Sequence, residues 1–200
     1  MKARSFSHCG ITVSSFNKAV RFYWDVFGCP LVGVADTPPE RVRAFFGVEG
    51  PSTSLGPSPL TPLGTSPSPS PGSGAAPSCK IGWIRVPGGA VLEIFEFQPQ
   101  LPPATVRWNQ VGLTHISFNV RNTQRWYDYL VSRGVECVSK PERSPRGHTF
   151  FFAKDFDGNL IELMDLGYMY QVLNWLGPLG GWLFRRGMYR QYYESPEEYA

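Results

Sequence analysis

Two stretches of this chain carry the same pattern of polar residues in apolar strands, and that repetition limits the folds open to it. Ser7-His8 opens one strand pattern and Thr114-His115 opens another. His8-x-x-Ile11-x-Val13 runs parallel to His115-x-x-Phe118-x-Val120. Downstream, Leu92-Glu93-Ile94 within Val91–Glu96 is matched by Ile161-Glu162-Leu163 within Leu160–Asp165. A carboxylate buried among Leu, Ile and Phe costs several kcal/mol unless it is paired, by order of magnitude. Taken singly, each Glu could point to solvent and each His could be a satisfied core residue. Recurring in the same order at matching places, they read instead as four potential ligands for one divalent cation, one His and one Glu from each half.

The secondary-structure signals repeat with them. The first half reads as a strand from Phe6 to Val13, then a helix from Ser14 to Gly28 with Phe16, Ala19, Val20, Tyr23 and Phe27 at helical spacing. Strands follow at Leu31–Ala35, Cys79–Val86 and Ala90–Phe97, the last two joined by Pro87-Gly88-Gly89. A short helix over Pro38–Phe46 has no counterpart later. The second half gives a strand over Val111–Val120 and a helix capped by Asn122 or Thr123 that turns Trp126, Tyr129 and Leu130 to the core. Gly134 stops that helix, and strands are expected at Glu136–Ser139, His148–Ala153 and Asn159–Asp165. The tight turn Asp155-Phe156-Asp157-Gly158 leads into the last of these.

The fold class is therefore α+β, two βαβββ modules over residues 1–100 and 101–166, with an aromatic extension over 167–200. Residues 51–78 are mostly Pro, Ser, Gly and Thr; such a composition buries too little apolar surface to offset ordering, and the segment is expected to be a flexible insertion. The extension gathers Tyr168, Tyr170, Trp175, Trp182, Phe184, Tyr189, Tyr192 and Tyr193 around Gly177–Gly181. Its apolar run falls short of the roughly 20 residues that cross a bilayer. These aromatics are expected to pack on the modules, on a second copy of the chain in a homodimer, or over the mouth of the site.

Charge and cysteines narrow the partners. Lys and Arg number 19 against 16 Asp and Glu, for a net charge of +3, with no basic block, which argues against nucleic acid. Cys9, Cys29, Cys79 and Cys137 show no Cys-x-x-Cys spacing and read as reduced thiols. The amino terminus runs into a strand without the apolar stretch of a signal peptide, so a cytoplasmic location is expected.

With these residues in view, the chain resembles the vicinal oxygen chelate superfamily, which includes glyoxalase I, methylmalonyl-CoA epimerase, extradiol dioxygenases and fosfomycin-resistance proteins. The likeness covers about residues 5 to 166 without the insertion. It is carried best by Gly112-Leu113-Thr114-His115-Ile116-Ser117-Phe118 and by Asp155-Phe156-Asp157-Gly158-Asn159-Leu160-Ile161-Glu162-Leu163, where Phe156 stands in place of the usual Pro. The resemblance implies a mixed sheet curled around a metal held by His8, Glu93, His115 and Glu162, with open positions for a small substrate bearing two adjacent oxygens. Two imidazoles and two carboxylates suit Ni, Co, Mn, Fe or Zn. The activity expected is an isomerase, lyase or epimerase of glyoxalase type, in which Glu162 or Glu93 removes a proton next to a polarised carbonyl. The alternatives are an Fe(II) extradiol dioxygenase, in which His148 would serve as an acid–base group, and a drug-binding protein without catalysis. Arg41, Arg43, Arg107, Arg143 and Arg146 are available for an anionic substrate.

Overall fold

The structure, a computed structural model, describes residues 5–50, 75–103 and 108–193. Most of the expected insertion, together with Arg107, lies outside the described residues. The chain divides into two compact units, the first formed by residues 1–105 with 156–158 and the second by 106–155 with 159–200.

In the first unit, β1 (His8–Thr12), α1 (Phe16–Phe27), β2 (Leu31–Thr37), α2 (Pro39–Phe46), β3 (Ser78–Arg85) and β4 (Val91–Gln98) follow in order. The strands form a mixed sheet in the order β1-β4-β3-β2, with β1 parallel to β4 and the other pairs antiparallel. Ser15 caps α1 by accepting from the Lys18 N–H at 3.4 Å, and Gly28 ends the helix in the left-handed conformation. The helix buries Phe16, Ala19, Tyr23 and Val26, one stripe at helical spacing, against one face of the sheet. Gly82 makes that close approach possible, because a Cβ there would lie 2.6 Å from the Phe16 ring and 3.1 Å from Ile94. The opposite face carries Phe95 and Phe97, whose rings meet Phe46 of α2 at centroid distances of 5.8 and 5.3 Å. The short helix without a repeat thus covers one end of the face that bears Glu93.

In the second unit, β5 (Ile116–Asn119), α3 (Thr123–Ser132), β6 (Glu142–Arg143), β7 (Thr149–Lys154) and β8 (Leu160–Asp165) follow in order, and the strands form a second mixed sheet, β5-β8-β7-β6. Asn122 caps α3, accepting from the Arg125 N–H at 3.0 Å. Phe151, Ala153, Ile161, Leu163 and Leu130 make the core. The turn before β8 is fastened by Asp155, which accepts from both the backbone and the side-chain amide of Asn159 at 2.9 Å.

The strands thus make two four-stranded mixed sheets that are not closed. Some strand boundaries need correction. The strand expected over Val111–Val120 begins only at Ile116, since its parallel partner starts at Leu160 and leaves earlier residues nothing to pair with. Glu136–Ser139 is reduced to a single bridge between Cys137 and Ala153; the Ser139 hydroxyl accepts from the Phe152 N–H at 3.1 Å and takes the place of a ladder bond. The strand that does pair with the outer edge of β7 is the two-residue β6. The extension forms α4 (Met169–Arg186) and a 3-10 turn at Arg190–Tyr192, and no residue of either is buried among the described residues.

Two outcomes follow from this packing. Gly82→Ala should lower stability by about 1–3 kcal/mol, seen as a fall in Tm of several degrees, and Phe16→Leu in the same chain should restore part of it. Burial pushes the Cys29 and Cys79 thiols up from 9.0 to about 11, with the Glu93 charge raising Cys79 further and a hydrogen bond from Thr37 opposing. Their thiolates are disfavoured in the fold, so stability is lost as pH rises from about 9 through about 11. At pH 8 both should alkylate on the order of a hundredfold more slowly in native than in unfolded protein, as read by peptide mapping after timed labelling.

Candidate metal centre

The parallel pairing of the first and last strands places each His beside its Glu. In the first unit, His8 lies opposite Val91 and Gly10 opposite Glu93, so alternation sends His8 and Glu93 to one face, two residues apart along adjacent strands. Position 10 carries no side chain to stand between them; a Cβ there would already meet the Phe95 ring at 3.0 Å. His8 Nε2 lies 3.4 Å from Glu93 Oε2. In the second unit, Ser117 lies opposite Glu162 and His115 sits just ahead of β5. His115 Nε2 lies 3.5 Å from Glu162 Oε2.

The far nitrogen of each imidazole is engaged in the same way. Ser7 Oγ lies 3.0 Å from His8 Nδ1, and Thr114 Oγ1 lies 2.9 Å from His115 Nδ1. When the Nδ1 proton is donated to the hydroxyl oxygen, Nε2 is left with its lone pair directed at the carboxylate. Two donors about 2.1 Å from a divalent cation are roughly 3.0 Å apart at adjacent octahedral positions and roughly 3.4 Å apart at tetrahedral ones. The separations of 3.4 and 3.5 Å are of that size, so each pair suits two neighbouring positions around a cation. Each unit supplies two such donors, and among the described residues no cluster of three or more His, Cys, Asp or Glu is gathered to hold an ion.

The two pairs differ in what supports the carboxylate. Opposite Glu93 on β3 stands Trp83, whose indole N–H donates to Glu93 Oε1 at 2.7 Å and leaves Oε2 toward His8. Opposite Glu162 on β7 stands Phe152, which has nothing to donate. Its ring instead packs edge-on against His115 at 5.4 Å and against Trp108 at 4.9 Å, so β7 supports this pair by packing on the imidazole rather than by a hydrogen bond to the carboxylate. Glu162 is also the more buried carboxylate, 7 % exposed.

His148 lies just before β7 and shares a face with Phe150 and Phe152 by alternation. Its Nδ1 is 3.0 Å from Ser144 Oγ, and four residues of strand, about 13 Å, separate it from Phe152. It is therefore no neighbour of Glu162. Of the arginines considered, Arg43 pairs with Glu49 at 3.3 Å and the Arg143 Nε–H donates to the Gly147 carbonyl at 3.2 Å. An open hollow of about 940 Å³ lies elsewhere in the second unit, between the ends of β5 and β8 and the start of α4, lined among others by Asn119, Arg121, Asp165 and Tyr170. None of the candidate ligands lines it.

The four candidate donors were named from the repeat, and most of what surrounds them in the structure was not. The hydroxyl residue before each His was visible as part of the repeat. Trp83 was reachable through the Pro87–Gly89 turn, which sets it opposite Glu93. Nothing in the local pattern marked Trp108.

Comparison with known proteins agrees with this architecture. No curated protein sequence is significantly similar to the chain. Among solved structures, a glyoxalase family protein from Bacillus cereus is 20% identical with a TM-score of 0.59, over 82% of this chain and 95% of that one. The trypanothione-dependent glyoxalase I of Leishmania major is 15% identical with a TM-score of 0.54, over 90% and 99%. Glyoxalase I from Zea mays is 14% identical with a TM-score of 0.52, over 80% of this chain and 44% of that one. The sequence itself matches the family description over residues 5–163, most of its length, and the chain belongs to the Glyoxalase/Bleomycin resistance protein/Dioxygenase superfamily.

Proposed function

We propose that the protein is a divalent-metal-dependent enzyme of glyoxalase type, an isomerase, lyase or epimerase that removes a proton next to a carbonyl. His8, Glu93, His115 and Glu162 would hold the ion, one of Ni, Co, Mn, Fe or Zn. The observation that carries this reading is the doubled His–Glu pair, with Nε2 and Oε2 at 3.4 and 3.5 Å and Nδ1 engaged by a hydroxyl in both units. When bound, such an ion polarises a carbonyl oxygen and makes the adjoining C–H acidic. The substrate is then a small molecule with two neighbouring oxygens.

The chain's own residues divide the remaining work unequally. Trp83 ties Glu93 with a charge-assisted bond of roughly 1.5–3 kcal/mol, which favours a fixed role for that carboxylate. Glu162 has no such donor opposite it and sits against the Phe152 ring, so it is the carboxylate able to turn toward a substrate and take the proton. Ser7 and Thr114 hold the imidazole tautomers. His148, just ahead of β7 on the face of Phe150 and Phe152, would be left for the far end of a substrate.

One observation favours a second reading. If the Trp83 bond keeps Glu93 out of the coordination sphere, His8, His115 and Glu162 remain as the two-His, one-carboxylate set of an Fe(II) extradiol dioxygenase.

Metal analysis after dialysis should find one divalent ion per chain, with His115→Ala losing most of it; equal metal in that variant would sink the ligand assignment. Parallel assays on hemithioacetals, acyl-CoA thioesters and catechols, recording deuterium uptake and oxygen consumption together, should give proton exchange without oxygen use. Iron-specific oxygen uptake on a catechol would select the dioxygenase instead. Glu162→Gln should abolish exchange while Glu93→Gln chiefly weakens metal retention. Trp83→Phe should reduce metal affinity on the order of tenfold to a hundredfold and, combined with Glu162→Gln, recover part of the exchange through the released Glu93. No recovery and unchanged affinity would show that the indole does not divide the two carboxylates.

A further inference from the structure

The row of residues that crosses the first sheet through Glu93 ends in a glycine on both sides. Cross-strand pairing sets Gly33 of β2 opposite Trp83 of β3, Trp83 opposite Glu93 of β4, and Glu93 opposite Gly10 of β1. Residues paired in this way share a face, so the indole lies with Glu93 on the side that carries His8. At the β2 end the space is filled. A Cβ at position 33 would stand 2.9 Å from Trp83 Cε3, too close for two carbon atoms. The benzene edge of the indole thus lies over the backbone of β2, while its N–H reaches across to Glu93 Oε1 at 2.7 Å.

A glycine reaches that position only through an irregularity in β2, the edge strand of the sheet. Leu31 pairs with Ile84 and Gly33 with Trp83, so two residues of β2 advance against one of β3 and Val32 is the extra one. In an unbroken ladder Val32 would face Trp83, and its branched side chain would take the space of the indole. Val32 is instead 58 % exposed, and Val34 with Gly82 and Ala35 with Ile81 continue the shifted register. β2 bears none of the four candidate ligands, yet its register decides what lies beneath the indole. Because Cε3 sits close to the ring's attachment to the chain, a methyl group at position 33 cannot be escaped by a swing of the ring's far end. The whole ring has to turn, and the N–H leaves Oε1.

We propose that Gly33 and the bulge at Val32 are a positioning device for Glu93, acting through Trp83 to set how firmly that carboxylate is held. The consequence for metal binding rests on the function proposed above; the seating of the indole does not.

The test follows the Trp83 indole N–H by NMR in the full chain, its resonance identified by its loss in Trp83→Phe. In the unaltered protein, nuclear Overhauser contacts should join the Gly33 Hα protons to Trp83 Hε3, and their absence overturns the proposal. Gly33→Ala should move the N–H resonance upfield and speed its exchange with solvent on the order of tenfold to a hundredfold, the protection given by a bond to a carboxylate. An unchanged resonance in a folded Gly33→Ala chain also overturns it. Two deletions of equal length keep the test open should that variant misfold. Both straighten β2, but deletion of Val32 leaves Gly33 opposite Trp83 and should keep the resonance, whereas deletion of Gly33 brings Val32 there and should shift it. The same N–H position in both deletions would overturn the role given to the bulge. For metal, Gly33→Ala should lower affinity as far as Trp83→Phe does, and the two together no further. Additive losses would show that Gly33 does not act through the indole. If the unaltered chain holds no metal, the function proposed above fails, and the indole measurements still decide the seating.

Discussion

A carboxylate on a strand flanked by buried aliphatics depends on what its neighbouring strands set beside it, and in this protein the parallel neighbour brings a His to 3.4 or 3.5 Å in each unit. β4 and β8 each carry a Glu between residues that face the helices, and β1 and β5 lie beside them in a register that brings a His from two positions earlier. The connections follow from that pairing. A parallel neighbour cannot be reached by a tight turn, so a helix must intervene after β1 and again after β5, and its apolar stripe covers the face turned away from the Glu. The rest of each module is the means by which a His and a Glu arrive side by side with their carboxylate largely shielded from water.

Within that shared plan the modules have diverged at one register position. A donor stands opposite one Glu and a bare ring opposite the other, although the hairpins that create those positions are alike. The exchange of indole for phenyl changes no strand and no core contact. It changes how tightly a carboxylate is held, a property on which the distinction between a ligand and a base can rest. Duplicated folds can thus acquire unequal halves through a side chain on the strand next to the reactive one.

The helices and most strands were legible because apolar spacing, a capping Ser or Asn and a stopping Gly agree at α1 and α3. The candidate donors were legible because they occur twice. What could not be read depended on partners rather than local pattern. The residues before Ile116 look like strand and have no strand to pair with, while Ser139 spends its hydroxyl where a backbone carbonyl was expected. The four donors are likewise a pattern whose supports, Trp83 and Trp108, come from other elements. For α4 the spacing and aromatics were plain, but an amphipathic stripe does not by itself say what it faces.

The β3–β4 hairpin limits where this chain can tolerate changes in length. Its turn sets the register of the whole strand pair, so adding or removing one residue at Pro87–Gly89 would rotate alternate side chains to the other face. Trp83 would then be traded for a neighbour such as Ile84 opposite Glu93, and a large indole would be driven into the layer occupied by α1. The link between α2 and β3 is under no such constraint, because β3 takes its register from β4 on one side and from β2 on the other. Extra chain is cheap there, its closure cost growing only slowly with length, and it is in that link that the Pro- and Ser-rich residues 51–74 occur. Growth in this fold is thereby steered away from the hairpins that aim its polar side chains and toward connections that aim nothing.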